Sequence, residues 1–438
     1  MKKNYLFGML ALAAMTMVGC SNDEVVNDYS QDNAIQFGTY VGRDASSRAT
    51  VITTKELGEQ GFGIFAYYTG NQTFEEVKAT ATPNFMYNQM VTKATDATYA
   101  NNAYSAWEYA PVKYWPNNTG DKVSFFAYAP YISEDSEVDF KLNATTGYPS
   151  ISYEVETEEI DNEKIAVSEN QVDLLYLSSP HLDKQKQYIN NKVEFQFGHA
   201  LSRIGFAAKV LVDEVNEDPT GEINDDPHNL KSLTKGTVIT INSVKLTGEF
   251  YNKGTLNLYR PAVTDANFTT GWTNQTADGS FSWLLSTANF ETDENKFEGE
   301  KIATGTLKDN GDGTKIWEDG LLNNASSYLM IMPQAFTQDN QKQICVTVDY
   351  NVVTTDENNS SNNSDIKNVI TSVPFNFTFE EGKAYVFVLH LGMTSVKLSA
   401  AVTEWADGFD WSVNVPVNGD GTLNQNEWVD YYPNNSGQ

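Results

Sequence analysis

The sequence predicts an all-β protein made of antiparallel β-sandwiches. Three observations carry that reading. Apolar and polar residues alternate with period two in many short runs rich in β-branched and aromatic residues. Turn signals separate the runs, at residues 117–120 (NNTG), 381–382 (EG), 407–408 (DG) and 420–421 (DG). There is no sustained helical period and no strand–helix alternation, which disfavours a parallel α/β sheet. With 438 residues the chain is long enough for two or three domains with sizeable cores.

The N-terminus reads as an address. Met1-Lys2-Lys3 precedes a mostly apolar run over residues 6–18, too short to span a bilayer as a normal helix, and the run ends at Gly19-Cys20. A small residue directly before Cys at the end of such a run resembles a bacterial lipobox. That resemblance implies a signal peptide over residues 1–19, cleavage before Cys20, and lipid (palmitate among it) on Cys20. An ordinary secretory signal with an incidental Cys is the competing reading. Residues 21–24 (SNDE) are polar and acidic, similar to the tether of surface-exposed lipoproteins in some Gram-negative bacteria. No other stretch is apolar enough to cross a membrane, so the lipid would be the sole anchor.

Residues 34–41 (AIQFGTYV) read as one isolated strand with Ile35, Phe37, Thr39 and Val41 on one side. Residues 42–50 are small and polar, with basic side chains at Arg43 and Arg48. Small residues around Arg48 suit an exposed extended loop, where proteolytic nicking concentrates. A trypsin-like protease needs such an arginine on a backbone that can extend, so Arg48–Ala49 is a candidate processing site; taken alone, a solvated linker arginine explains Arg48 better.

The body follows. One helical turn is expected over residues 55–60. Period-two runs over 123–128, 193–197, 204–210, 238–250, 373–379 and 385–391 are expected to be strands with one buried face. Residues 154–170, 213–229 and 354–365 are acidic or nearly all polar and are expected to be loops. The polar stretch 184–191 places a boundary near residue 190, dividing an N-terminal sandwich (49–190) from a C-terminal one (191–415). A tail over residues 416–438 remains, with Leu423, Trp428, Val429, Tyr431 and Tyr432.

Charge and composition exclude several functions. The 29 Lys and Arg face 58 Asp and Glu, for a net charge of −29, which repels phosphate backbones and makes nucleic acid an unfavourable partner. A cut after Arg48 removes Lys2, Lys3, Arg43 and Arg48 with Asp23, Glu24, Asp28, Asp32 and Asp44, leaving that charge nearly unchanged. The 23 Tyr, 23 Phe and 8 Trp argue against disorder. Two Cys and four His are too few for a disulfide framework or a Cys/His metal cluster. Cys345, in a strand-like run, is expected to be a buried inert thiol. His199 is expected to be structural, since His181, His228 and His390 show no ligand spacing with it. Residues 309–313 and 418–424 lack the full calcium-loop ligand series and read as turns. No nucleophile, phosphate or dinucleotide motif is present, so no catalytic residue, cofactor or metal is assigned and the protein is not expected to be an enzyme. Exposed aromatic rings keep a lipid-tethered carbohydrate-binding protein open as an alternative.

Motifs in order along the chain resemble the fimbrillin family, the Mfa-like or FimA-like lipoprotein-precursor pilins of Gram-negative anaerobes. They are the lipobox at Cys20, residues 47–50 (SRAT), 62–67 (FGIFAY), 107–116 (WEYAPVKYWP), 123–130 (VSFFAYAP), 197–204 (FGHALSRI), 329–334 (LMIMPQ) and 385–389 (YVFVL) with Trp405. The resemblance implies two tandem transthyretin-like sandwiches, export to the outer membrane as a lipidated precursor, a cut between Arg48 and Ala49 by a trypsin-like protease, and polymerisation into an extracellular fimbrium. Partners would be other fimbrial subunits joined by strand exchange, with a possible host or bacterial surface ligand. In that scheme residues 34–41 form a blocking strand, with Ile35, Phe37 and Val41 filling a groove, and residues 416–438 are a candidate donor strand.

Overall fold

The computed structural model describes residues 33–41, 52, 54–100, 103–133, 140–168, 171–177, 180–185, 192–210, 237–259, 263–264, 269–277, 281–298, 303–309, 315–324, 327–336, 344–354, 364–392, 396–404 and 414–416. The protein is all-β and mostly antiparallel; the described helices are Thr54–Gln60 and Phe74–Val77. The first is longer than the single turn expected. The second starts at a capping box, in which the Thr73 hydroxyl accepts from the Glu76 amide and the Glu76 carboxylate accepts from the Thr73 amide.

The largest sheet has eight strands. In spatial order they are Gln36–Val41, Lys192–His199, Leu175–Leu177, Lys122–Ala129, Phe62–Gly70, Met86–Lys93 and Trp107–Glu108, with His181–Lys184 also paired to Lys122–Ala129. One face carries a core of Ile64, Phe62, Phe125, Phe195 and Phe197. The other face, with Phe65, Tyr67, Phe126 and Tyr128, joins a larger core shared with the rest of the protein. Every residue from Val123 to Ala129 is buried, so the single buried face expected there is corrected to two. Strands covered on both sides are apolar on both sides, which blurs the alternation.

A four-stranded sheet (Phe140–Asn143, Ser150–Glu154, Lys253–Asn257, Trp272–Thr276) contributes to that larger core. Tyr259, just past its third strand, reaches Phe126 at 6.3 Å. Beyond it, a seven-stranded sheet containing Thr237–Gly248, Phe281–Ser286, Ile344–Thr354 and Ser364–Phe375 packs on a five-stranded one containing Ser202–Val210, Lys383–Leu391 and Val396–Glu404. Phe206 stacks on Trp283 (5.5 Å) and Phe375 meets Phe387 edge-on (5.1 Å) across the gap. Pairing crosses the expected boundary near residue 190: Gln36–Val41 joins Lys192–His199, and Ser150–Glu154 joins Lys253–Asn257.

Four local expectations are corrected. Three ladders are parallel, Gln36–Val41 with Lys192–His199, Ser202–Val210 with Lys383–Leu391 and, where Ile165 lies opposite Ser282, Glu163–Ala166 with Phe281–Ser286; long connections free these pairs from hairpin geometry. Within the expected loop 154–170, Thr157–Ile160 and Glu163–Ala166 form a hairpin whose turn residues Asp161 and Asn162 both have positive φ. The loop expected over 354–365 is shorter, because Thr354 pairs with Ser364 and Val353 with Asp365. Cys345 is half-buried, since period two turns it away from the buried Ile344 and Val346. Gly305–Asp309 pairs antiparallel with Lys315–Asp319, with Asp309 opposite Lys315.

Candidate functional site

The strand Gln36–Val41 lies at one end of the main sheet's strand order, and Trp107–Glu108 at the other. The two ends approach each other around it, because the chain continuing from Trp107 returns beside residues 33–35. On one side Gln36–Val41 runs parallel to Lys192–His199, in register from Gln36 opposite Lys192 to Val41 opposite Phe197. On the other side the Ile35 amide donates to the Lys113 carbonyl (2.9 Å) and the Trp115 amide donates to the Asn33 carbonyl (3.0 Å). The Tyr109 hydroxyl donates to the Ile35 carbonyl (2.8 Å). At the far end the Val41 amide donates to Thr54 Oγ1 (3.0 Å).

The side chains follow the period-two pattern into the core. Ile35, Phe37 and Val41 are 1%, 3% and 1% exposed, and Thr39 is buried with them, while Gln36 is exposed. The Phe37 ring stacks on Phe195 (5.3 Å, 23° between planes), meets Phe125 edge-on (6.1 Å) and tilts against Tyr109 (5.3 Å). Burial pushes the Tyr109 hydroxyl up to about 12, against the opposing pull of its backbone bond at Lys113, so it remains a donor at neutral pH. His181 meets Phe195 edge-on (5.3 Å); burial first, then the Lys184 charge, lowers its imidazole to about 4, so the ring is neutral at pH 7. Trp107 and Trp115 act in core packing here, Trp107 against Phe62 (5.1 Å) and Trp115 against Phe125 (5.9 Å).

A buried acid holds the chain at Ile52. Asp173 accepts from the Ile52 amide through Oδ2 (2.8 Å) and from His199 Nδ1 through Oδ1 (2.9 Å). The structural role expected for His199 is thus a specific one: it orients this carboxylate. Of the residues singled out in the sequence, Ile35, Phe37 and Val41 come together in one groove. Cys20, Arg48, Ala49 and residues 417–438 lie outside the described residues. Tyr109, Thr54, Asp173 and Phe195 complete the site without having been singled out for it; Tyr109 was visible only within the motif 107–116, and Phe195 only within the alternating run 193–197.

The arrangement is a socket for one β-strand. It offers two backbone rims, apolar seats at alternate positions, and fixed polar partners at Tyr109 and Thr54. Among the described residues no group of His, Cys, Asp and Glu is placed to hold a metal ion.

Comparison with known proteins finds similarity to fimbrial proteins. A family model described as fimbrillin-like matches residues 47–405. A curated relative, the fimbrium subunit Fim1C of Phocaeicola vulgatus, is 26% identical over 421 residues, covering 93% of this chain and 98% of its own. The solved structure of a fimbrial protein from Bacteroides vulgatus superposes with a TM-score of 0.54 at 23% identity, covering 85% of this chain and 99% of that one, and shares the fold.

Proposed function

The chain belongs to the fimbrillin-like family, and on that premise we propose a route by which it is processed and assembled. It is a fimbrial structural subunit that associates with other fimbrial subunits in the extracellular fimbrium at the cell surface. In the proposed route, residues 1–19 are removed on export and Cys20 is lipidated, which tethers the precursor to the outer membrane. A trypsin-like protease then cuts between Arg48 and Ala49. Residues 34–41 leave, and a strand from a neighbouring subunit, with residues 416–438 as the candidate, takes their place.

The observation that carries this reading is the seating of Gln36–Val41: fully engaged, yet held to the body only by non-covalent contacts and one chain connection. Burying Ile35, Phe37 and Val41 is worth on the order of 1.5–3 kcal/mol each, so the strand is retained while tethered. A tethered strand competes at an effective concentration in the millimolar range. Scission abolishes that advantage without weakening any contact in the groove. The cut therefore makes the strand exchangeable rather than expelling it, and an incoming strand with comparable seats can win. Before the cut, the open edge that invites uncontrolled pairing is filled.

The test is the Arg48→Ala variant expressed in the native host. Expected is a lipidated, folded precursor that forms no fibres, while the wild-type fimbrium yields Ala49 as its first residue. Normal fibres from the variant, with its chain uncut elsewhere, would refute the route.

A further inference from the structure

Two hydrogen-bond acceptors flank the connection between the first strand and the body. Thr54 Oγ1 holds the Val41 amide, on the side that departs in the route above. Asp173 Oδ2 holds the Ile52 amide, on the side that stays. The second contact is built with more care than a turn requires. Asp173 is 1% exposed, and a buried carboxylate is tolerated only when its oxygens are satisfied. His199 Nδ1 takes Oδ1, which aims Oδ2 at Ile52. His199 is itself fixed at the end of its strand, opposite Leu175, two residues from Asp173. The Ile52 side chain is buried in the same core as Phe37 and Phe195. An amide bonded to a charged acceptor is stronger than one bonded to a neutral acceptor.

We propose that Asp173, with His199 as its positioning residue, is the retained anchor of the processed chain. It keeps Ile52 seated when the first strand leaves, so the socket stays open instead of losing its floor. The Thr54 hydroxyl, released from Val41, then becomes available to the corresponding amide of the incoming strand. This inference rests on the processing route above, because only a departing strand makes a retained anchor necessary.

Amide hydrogen exchange at Ile52 and at residues 193–197 tests it, on the full precursor and on the same protein after trypsin-like cleavage. In wild type, Ile52 is expected to keep its protection after cleavage while residues 36–41, now exchangeable, exchange faster than in the precursor. Asp173→Ala is expected to speed exchange at Ile52 about tenfold or more, with residues 193–197 unchanged. His199→Ala should do the same, and His199→Asn, whose side-chain amide can stand in for Nδ1–H, should restore protection. Equal exchange at Ile52 in wild type and Asp173→Ala overturns the anchor, as does loss of Ile52 protection in cut wild type together with residues 36–41. The wild-type comparison decides the matter even if Asp173→Ala does not fold. A chain left uncut at Arg48, read by mass, would overturn the parent route, and with it the need for an anchor; a cut chain with an unprotected Ile52 overturns the anchor alone.

Discussion

Phe37 and Phe195 lie ring on ring, 5.3 Å apart and 23° from parallel, and only the first of the two belongs to the strand that is to be exchanged. Phe195 also touches Phe62, Phe125 and Phe197, so it remains packed in the body when Phe37 goes. Truncating a buried Phe costs about 3–5 kcal/mol. In the uncut precursor, Phe37→Ala should therefore loosen residues 36–41 by two or more orders of magnitude in amide exchange. The body's denaturation midpoint should move little. Phe195→Ala should lower that midpoint clearly. A Phe37→Ala protein that unfolds globally at a much lower denaturant concentration would show that the strand is part of the body's own core.

Tyr109 supplies the side-chain hydroxyl that bonds the Ile35 carbonyl, and it does so from outside the exchanged strand. Tyr109→Phe keeps the ring against Phe37 and deletes that bond, worth about 1 kcal/mol. A labelled peptide of residues 33–41 should leave the cut protein roughly five times faster from this variant. Because burial raises the hydroxyl to about 12, the difference should be flat from pH 5 to pH 9. An effect that changes across that range would assign the bond to another group.

Acid should weaken the fold through two half-buried imidazoles. His181 sits against Phe195, and His390 contacts Ser399 Oγ (2.9 Å); burial, with nearby lysines adding, lowers both to about 4. An unfolded His takes its proton near 6.5, whereas the folded rings resist it until about 4. Between those values the unfolded state binds more protons, so stability is complete above about 6.5 and falls as pH drops towards 4. The loss should be on the order of 2 kcal/mol per ring. Denaturant midpoints at pH 7 and pH 4.5 measure it, and His181→Gln should flatten part of the slope. An unchanged slope would mean that His181 is already open to solvent.

The strands that build the socket were legible in the sequence because each is short, amphipathic and locally patterned: Ile35, Phe37 and Val41 alternate, as do Val193, Phe195 and Phe197. Their pairing was not legible. The ladder joins residues about 156 positions apart in parallel, and no local period encodes a partner that distant. The second rim was hidden for a related reason. Residues 113–115 serve the first strand through backbone groups, to which the identity of the side chain is nearly irrelevant. The hairpin over residues 157–166 was masked by its acidic side chains, although Asp161-Asn162 carries the turn chemistry that marks it. Asp173 gave no signal at all, since its meaning depends on Ile52 and His199 arriving from two other parts of the chain.

Register provides the most demanding test of the socket. Its seats are spaced for apolar side chains at the positions of Ile35, Phe37 and Val41, with Gly38 close to Glu194 and Gln36 turned to solvent. A strand shifted by one residue presents its polar set to the core. A synthetic peptide of residues 33–41 should therefore block fibre growth when added in excess to cut subunits, because it competes with the incoming strand for the groove. The same peptide with the order of residues 36 and 37 exchanged should not, since it places Gln where Phe37 was caged by Phe195, Phe125 and Tyr109. Both peptides have one composition, charge and hydrophobicity, so non-specific sticking predicts equal inhibition. Light scattering during assembly separates the two cases, and equal inhibition would mean that growth does not pass through this socket.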